Sequence, residues 1–170
     1  MSTRSGDLDP GLVWYLARTE NLTAKRFNEM VNFQSGLLGI SETSSNMQDL
    51  LEREAKDIRA AEAVALFCYQ VKKWIGAYAA ALGGVDTLVF AGGIGENAPQ
   101  VRACICDGLG FLGIKLSAPR NAKSNALISP DTGRVSVRVM HTDEEFMIAK
   151  SVIQFLNLGT PIDRKTMKNR

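Results

Sequence analysis

The chain has 170 residues, 45% apolar and 22% charged, with a formal net charge of +2, which is room for one domain with a sizeable core and too little charge to point to nucleic acid or a membrane surface as the main partner. Three cysteines, Cys68, Cys104 and Cys106, form no C-x-x-C pair, which argues against a disulfide framework and fits a reducing cytoplasm. One histidine, His141, argues against a His-rich metal site and most His-based triads, and no signal peptide or run of about 18 apolar residues is found.

Taken in order, Asp9-Pro10 predicts a helix start, with Asp at the N-cap and a short helix over Gly11–Arg18. Thr23 caps a second helix whose apolar face is Phe27, Met30 and Val31. Gly36–Ser45, rich in glycine and small hydroxyls, reads as a loop that moves unless a ligand or neighbour holds it. From Asn46 to Leu82 the pattern is helical, and Val64, Phe67, Val71, Trp74, Tyr78 and Leu82 define one buried stripe with alanines between them. That stripe reads as core of the same domain, with an oligomer contact as the second reading. Gly83-Gly84 ends the helix.

Thr87–Phe90 is a short apolar strand that ends in a turn containing Gly92, Gly93 and Gly95, after which a helix is expected from Ala98. The glycines let backbone amides approach a ligand closely, and a helix N-terminus supplies unpaired N–H groups. A strand-to-helix turn with no ligand is the plain alternative. Pro99–Gly110 is a helix in which Cys104 and Cys106 read as small packing residues. Ile114–Leu116 is a strand candidate, Asn121–Ser129 is irregular, and Pro130–Gly133 is a turn. Val135, Val137 and Val139 alternate as a strand, and Thr142 with Glu145 reads as a capping box opening a helix to about Leu156. The tail from Asp163 to Arg170 is basic and expected to be disordered. The class is α/β, and a sheet of so few strands looks incomplete, so the chain is part of a larger fold or completes its core with a partner.

Gly93 to Ala98 satisfies a loose G-x-G-x-x-A dinucleotide pattern, but the acidic residue expected about 20 positions later is absent, and the chain offers too few strand–helix–strand units. Glu144 could hold a hydrated Mg²⁺ at a nucleotide site. Arg4, beside Asp7 and Asp9, is either part of a solvated ion cluster or an arginine poised for phosphate.

Four runs, Thr3–Val13, Ser35–Ser41, Val89–Arg102 and His141–Ala149, occur in an order that resembles the C-terminal half of the acetate kinase family. The resemblance implies the C-terminal domain of an actin-like (ribonuclease H-like) ATPase fold with a small mixed sheet flanked by helices. It covers residues 1–157, read as a nucleotide-binding and dimerisation domain, with 158–170 as the basic tail. It implies phosphoryl transfer between ATP and acetate, giving ADP and acetyl phosphate, with Mg²⁺ and a homodimer. Arg4 matches the family arginine that contacts the transferring phosphoryl group. Gly92, Gly93, Ile94, Gly95 and Asn97 match the turn against the nucleotide, and Glu144 matches the glutamate that supports the metal.

The loop after GLLGIS reaches the adenosine in that family. There, members usually read S-S-D-x-R-D, whereas Ser44-Ser45-Asn46-Met47-Gln48-Asp49 replaces a charged aspartate and a charged arginine with Asn46 and Gln48. An amide can hydrogen-bond but cannot compensate a catalytic charge. Everything that precedes TRSGDLDP in the family is missing, including a phosphate-binding loop and further catalytic arginine, aspartate and histidine residues. The expectation is a kinase fragment inactive or nearly so alone. The alternative is a non-catalytic nucleotide-binding or dimerising module.

Overall fold

The computed structural model describes residues 1–156 and 158, so the expected basic tail lies outside the described residues apart from Leu158. Asp9 caps α1 (Pro10–Thr19) by accepting the Gly11 N–H at 2.6 Å, and Thr23 caps α2 (Ala24–Phe33) by accepting the Arg26 N–H. Phe27, Met30 and Val31 are half-buried, as their spacing predicts, while α1 buries none of its residues. The N-terminal segment is tied to the α2 end by Ser5 N–H to Val31 O and Ser35 N–H to Thr3 O.

The expected loop at Gly36–Ser45 is a helix over most of its length, α3 (Gly36–Ser41). Leu37 inserts into the core at 1% exposure, and its N–H is held by the Met1 carbonyl. Burial and long-range hydrogen bonds here override the weak helix propensity of glycine and serine. The expected single span from Asn46 to Leu82 is two helices, α4 (Met47–Arg53) and α5 (Ile58–Leu82). The Asp57 carboxylate accepts the N–H groups of Arg59 and Ala60, starting a new helix where the pattern suggested continuation. Gly83, at φ +76°, closes α5 as expected.

α3, α4 and α7 (Pro99–Cys106) pack against α5. They cover only part of its stripe. Val64 is buried and Phe67 and Val71 are half-buried, whereas Trp74, Tyr78 and Leu82 are 44%, 60% and 79% exposed. The reading of the whole stripe as core therefore fails in its second half, because no described element lies over it.

β1 (Thr87–Phe90) pairs in parallel with β2 (Ser136–Val139), in the register Thr87–Ser136 to Phe90–Val139. An isolated antiparallel bridge joins Leu127 to Arg138, outside this small sheet of two parallel strands. Between β1 and α7 the glycine stretch is itself a helix, α6 (Gly92–Asn97), so helix begins earlier than the Ala98 expected. After α7 come a 3-10 turn at Leu109–Leu112 and α8 (Ala118–Ala122). Ile114–Leu116 forms no strand and leads from the turn at Gly113, φ +88°, into α8. The core gathers Leu37, Leu50, Val101, Ile105, Ile128 and Val137 between the helices and the sheet. Last comes α9 (Glu144–Phe155), capped by Asp143 through the Phe146 N–H and not by the Thr142 box expected. The Thr142 hydroxyl is committed elsewhere, to Glu96. No described helix is long and apolar enough to cross a membrane.

Candidate functional site

The three glycines of α6 play different parts. Gly92 turns the chain out of β1 at φ +72°, where an L side chain is strained. A Cβ on Gly95 would sit 3.2 Å from the Phe90 carbonyl carbon, so this glycine lets helix and strand approach. Gly93 has neither duty: its φ is ordinary and nothing lies within 4 Å of a built Cβ. It faces open space.

Two residues hold this turn, and sequence reasoning assigned a role to neither. The Glu96 carboxylate reaches back to the Gly92 N–H at 2.9 Å and across to the Thr142 N–H at 2.9 Å and hydroxyl at 2.8 Å, while His141 Nδ1 meets its other oxygen. The Thr142 N–H above all, then His141 and the Thr142 hydroxyl, hold the Glu96 carboxyl down at about 2. The first amide of the turn, expected to face a ligand, is thus already occupied by the chain's own carboxylate.

Arg102 is 0% exposed. Its five N–H groups go to the Gly95 and Glu96 carbonyls at the end of α6, to the side chain and carbonyl of Asn121, and to the Ser124 hydroxyl, at 2.7–3.0 Å. Burial pulls its pKa below the ordinary arginine value. The signals in the sequence were slight: a glutamate four positions after the first glycine, and an arginine between the core residues Val101 and Ile105.

An open cleft of about 930 Å³ lies between α4 and α6. It brings together five of the predicted residues: Asn46 and Gln48 from the start of α4, and Gly93, Ile94 and Asn97 from α6. Gly92 and Gly95 lie instead on an adjoining recess of about 400 Å³, with Gly93 and Ile94 on both. Asn46 Oδ1 caps α4 through the Gln48 N–H at 2.9 Å, and Gln48 Nε2 donates to Glu52 at 3.2 Å. Amide groups, an exposed glycine edge and the apolar Ile94 and Leu51 suit a flat polar ring more than an anion. Among the described residues no lysine or arginine lines this cleft, and Glu52 is its one charged side chain.

Arg4 and Glu144 stand outside these walls. Asp7 pairs with Lys73 at 2.8 Å and Asp9 caps α1, so the ion cluster around Arg4 does not form. The Arg4 backbone is clamped between its bonded neighbours Thr3 and Ser5, its side chain is exposed, and Ser2 reaches the cleft. Glu144 is exposed as the first residue of α9. Among the described residues no three His, Cys, Asp or Glu side chains converge on a metal position. The packing role read for Cys106 fits its burial, which pushes its thiol up to about 12, whereas Cys104 is exposed.

The model of the acetokinase family matches residues 1–150. The chain is 48% identical to the acetate kinase of Thermoanaerobacterium thermosaccharolyticum over 88% of its own length and 38% of that protein. It is 41% identical to the propionate kinase of Citrobacter rodentium over 95% of its own length and 40% of that protein. The crystal structure of Porphyromonas gingivalis acetate kinase superposes with a TM-score of 0.84 at 41% identity, over 92% of this chain and 40% of that one. The chain thus spans about 40% of the length of the relatives it matches.

Proposed function

The chain belongs to the acetokinase family, and on that premise we propose that it is the nucleotide-holding part of a carboxylate kinase, inactive or nearly so without the remainder of such a protein. The reaction is transfer of the γ-phosphoryl group of ATP to acetate or another short-chain carboxylate. A carboxylate oxygen bonds to phosphorus as the bond to the ADP oxygen breaks, leaving ADP and an acyl phosphate, with no proton to move. The protein's share of such chemistry is positioning and charge compensation.

The carrying observation is the make-up of the cleft: Asn46, Gln48, Gly93, Ile94 and Asn97 converge there with no lysine or arginine among the described lining. That wall suits the nucleoside end of ATP or ADP. The Gly92 amide is filled by Glu96, so phosphate is not its natural guest. Arg4, held by its backbone and free of Asp7 and Asp9, is the proposed contact to the transferring phosphoryl group. Glu144 is proposed to support the hydrated Mg²⁺ that accompanies the nucleotide. A single carboxylate suffices for that only when phosphate oxygens and water complete the ion's shell.

Titration calorimetry with ADP tests the reading. Wild type should bind and Gly93→Val should not, because Gly93 lines the cleft and the added side chain projects into it, while its Cβ meets no other part of the fold. Equal binding by both, or none by wild type at millimolar ADP, would remove the nucleotide from this cleft. The homodimer is proposed through the exposed alanine face of α5, Ala65, Ala77, Ala80 and Ala81, and a monomeric mass at high concentration in sedimentation refutes it.

A further inference from the structure

The chain holds three free thiols, and packing accounts for two of them. Cys68 on α5 and Cys106 on α7 are buried, whereas Cys104, also on α7, is exposed. α7 turns Val101, Arg102, Ile105 and Cys106 into the core. Residues three apart are neighbours on a helix surface, so Cys104 flanks Val101 at the margin of that face, while Cys106, two positions on, points elsewhere.

Cys68 meets α7 at this same place. Its Sγ donates to the Val101 carbonyl at 3.9 Å. A helix carbonyl points along the axis to the next turn, here Cys104 and Ile105, so the Cys68 sulfur lies against the turn that carries Cys104. The two thiols meet there: burial first, and then the Cys104 thiol, push Cys68 up to about 12. Lys72, one turn along α5 and half-buried, favours a thiolate at Cys68, and Glu54 opposes it. One accessible sulfur therefore touches one sheltered sulfur across two helices that pack together. Thiols so placed are within reach of a disulfide.

We propose that Cys68 and Cys104 are a redox-sensitive dithiol that a peroxide converts to a disulfide, fastening α7 to α5. Exposure sets the order of events. The Cys104 sulfur attacks one oxygen of hydrogen peroxide and the O–O bond breaks. The departing hydroxide leaves as water with the thiol proton, and Cys104 becomes a sulfenic acid. The Cys68 sulfur then attacks the Cys104 sulfur, the S–O bond breaks, and the hydroxyl leaves with the Cys68 proton as a second water. Two thiols have lost two electrons and two protons, and one peroxide has become two waters. A dithiol reductant reverses the change. Such a bond is a switch, distinct from the structural framework that the cysteine spacing argues against. It closes the stretch that contains β1 and α6, and it anchors the helix whose Arg102 holds the Gly95 and Glu96 carbonyls. The inference stands apart from the nucleotide reading.

The test treats the whole chain with hydrogen peroxide and reads mass spectra and thermal melts. In wild type, tryptic peptide 60–72 should be joined to peptide 103–115 with the loss of two hydrogens, and the oxidised chain should melt about 5 °C higher. Dithiothreitol should reverse both changes. Cys106→Ala, which removes the other thiol of peptide 103–115, should behave as wild type. Cys104→Ser, at an exposed position, should give no joined peptide. Cys68→Ala should stop at a Cys104 sulfenic acid that dimedone labels. No joined peptide in wild type, a joined peptide that survives Cys104→Ser or disappears in Cys106→Ala, a dimer linked through Cys104, or an oxidised chain that melts no higher each overturns the inference.

Discussion

Glu96 and Thr142 lie 46 positions apart, yet both the N–H and the hydroxyl of Thr142 donate to one oxygen of the Glu96 carboxylate, at 2.9 and 2.8 Å. The same oxygen accepts the Gly92 N–H. One carboxylate thereby joins the start of α6 to the loop that leads into α9, and every donor on it favours the ionised form.

That arrangement sets a pH dependence. Glu96 has its folded pKa lowered from 4.5 to about 2, so its contribution to stability is present above the unfolded value and is lost as pH falls through the folded one. Urea unfolding followed between about pH 5 and pH 2 should show wild type losing stability more steeply than Glu96→Gln, which has no carboxylate to protonate. Parallel profiles would mean that the bonds to Thr142 and Gly92 do not persist in solution.

Arg102 is the second brace. Arg102→Met leaves the Gly95 and Glu96 carbonyls and the Asn121 groups without their donors in a buried place, and should lower unfolding stability by about 3 kcal/mol. Arg102→Lys should recover little of this, since an ammonium cannot present a planar fork of five donors. Chemical denaturation of both variants is the check.

Gly92 and Gly93 are neighbours with opposite sensitivities. Gly92→Ala places a side chain at φ +72° and should cost about 1–2 kcal/mol of stability. Gly93→Ala should be neutral or slightly stabilising, because alanine favours helix over glycine and its Cβ meets nothing. Thermal melts of the two variants separate the roles.

The isolated chain should be a poor catalyst. Supplied with ATP, acetate and Mg²⁺, it should form acyl phosphate at least about 100-fold more slowly than a full-length relative, since it spans only about 40% of such a protein and phosphoryl transfer rests on charges converging from all sides. Trapping the acyl phosphate with hydroxylamine measures this, and a rate near that of the full-length enzyme would refute it.

Much of this was readable in the chain itself. Asp9 and Thr23 announced two caps, Gly83 announced a helix end, and the Val135, Val137, Val139 alternation announced β2, because each rests on interactions within a few residues. The ordered motifs identified the family and five residues of the cleft in the same way, as local patterns.

Only the tertiary structure decided the rest. Whether Gly36–Ser41 coils or bends depended on Leu37 finding the core, and whether Thr142 capped α9 depended on Glu96 claiming its hydroxyl first. Arg102 reads as a surface cation until Asn121 and the end of α6 close around it. The α5 stripe carried the pattern of a core helix, but periodicity records which face is apolar and not what lies over it. For Trp74, Tyr78 and Leu82 nothing in the described chain does, since burial is a property of two surfaces and the sequence of α5 specifies one.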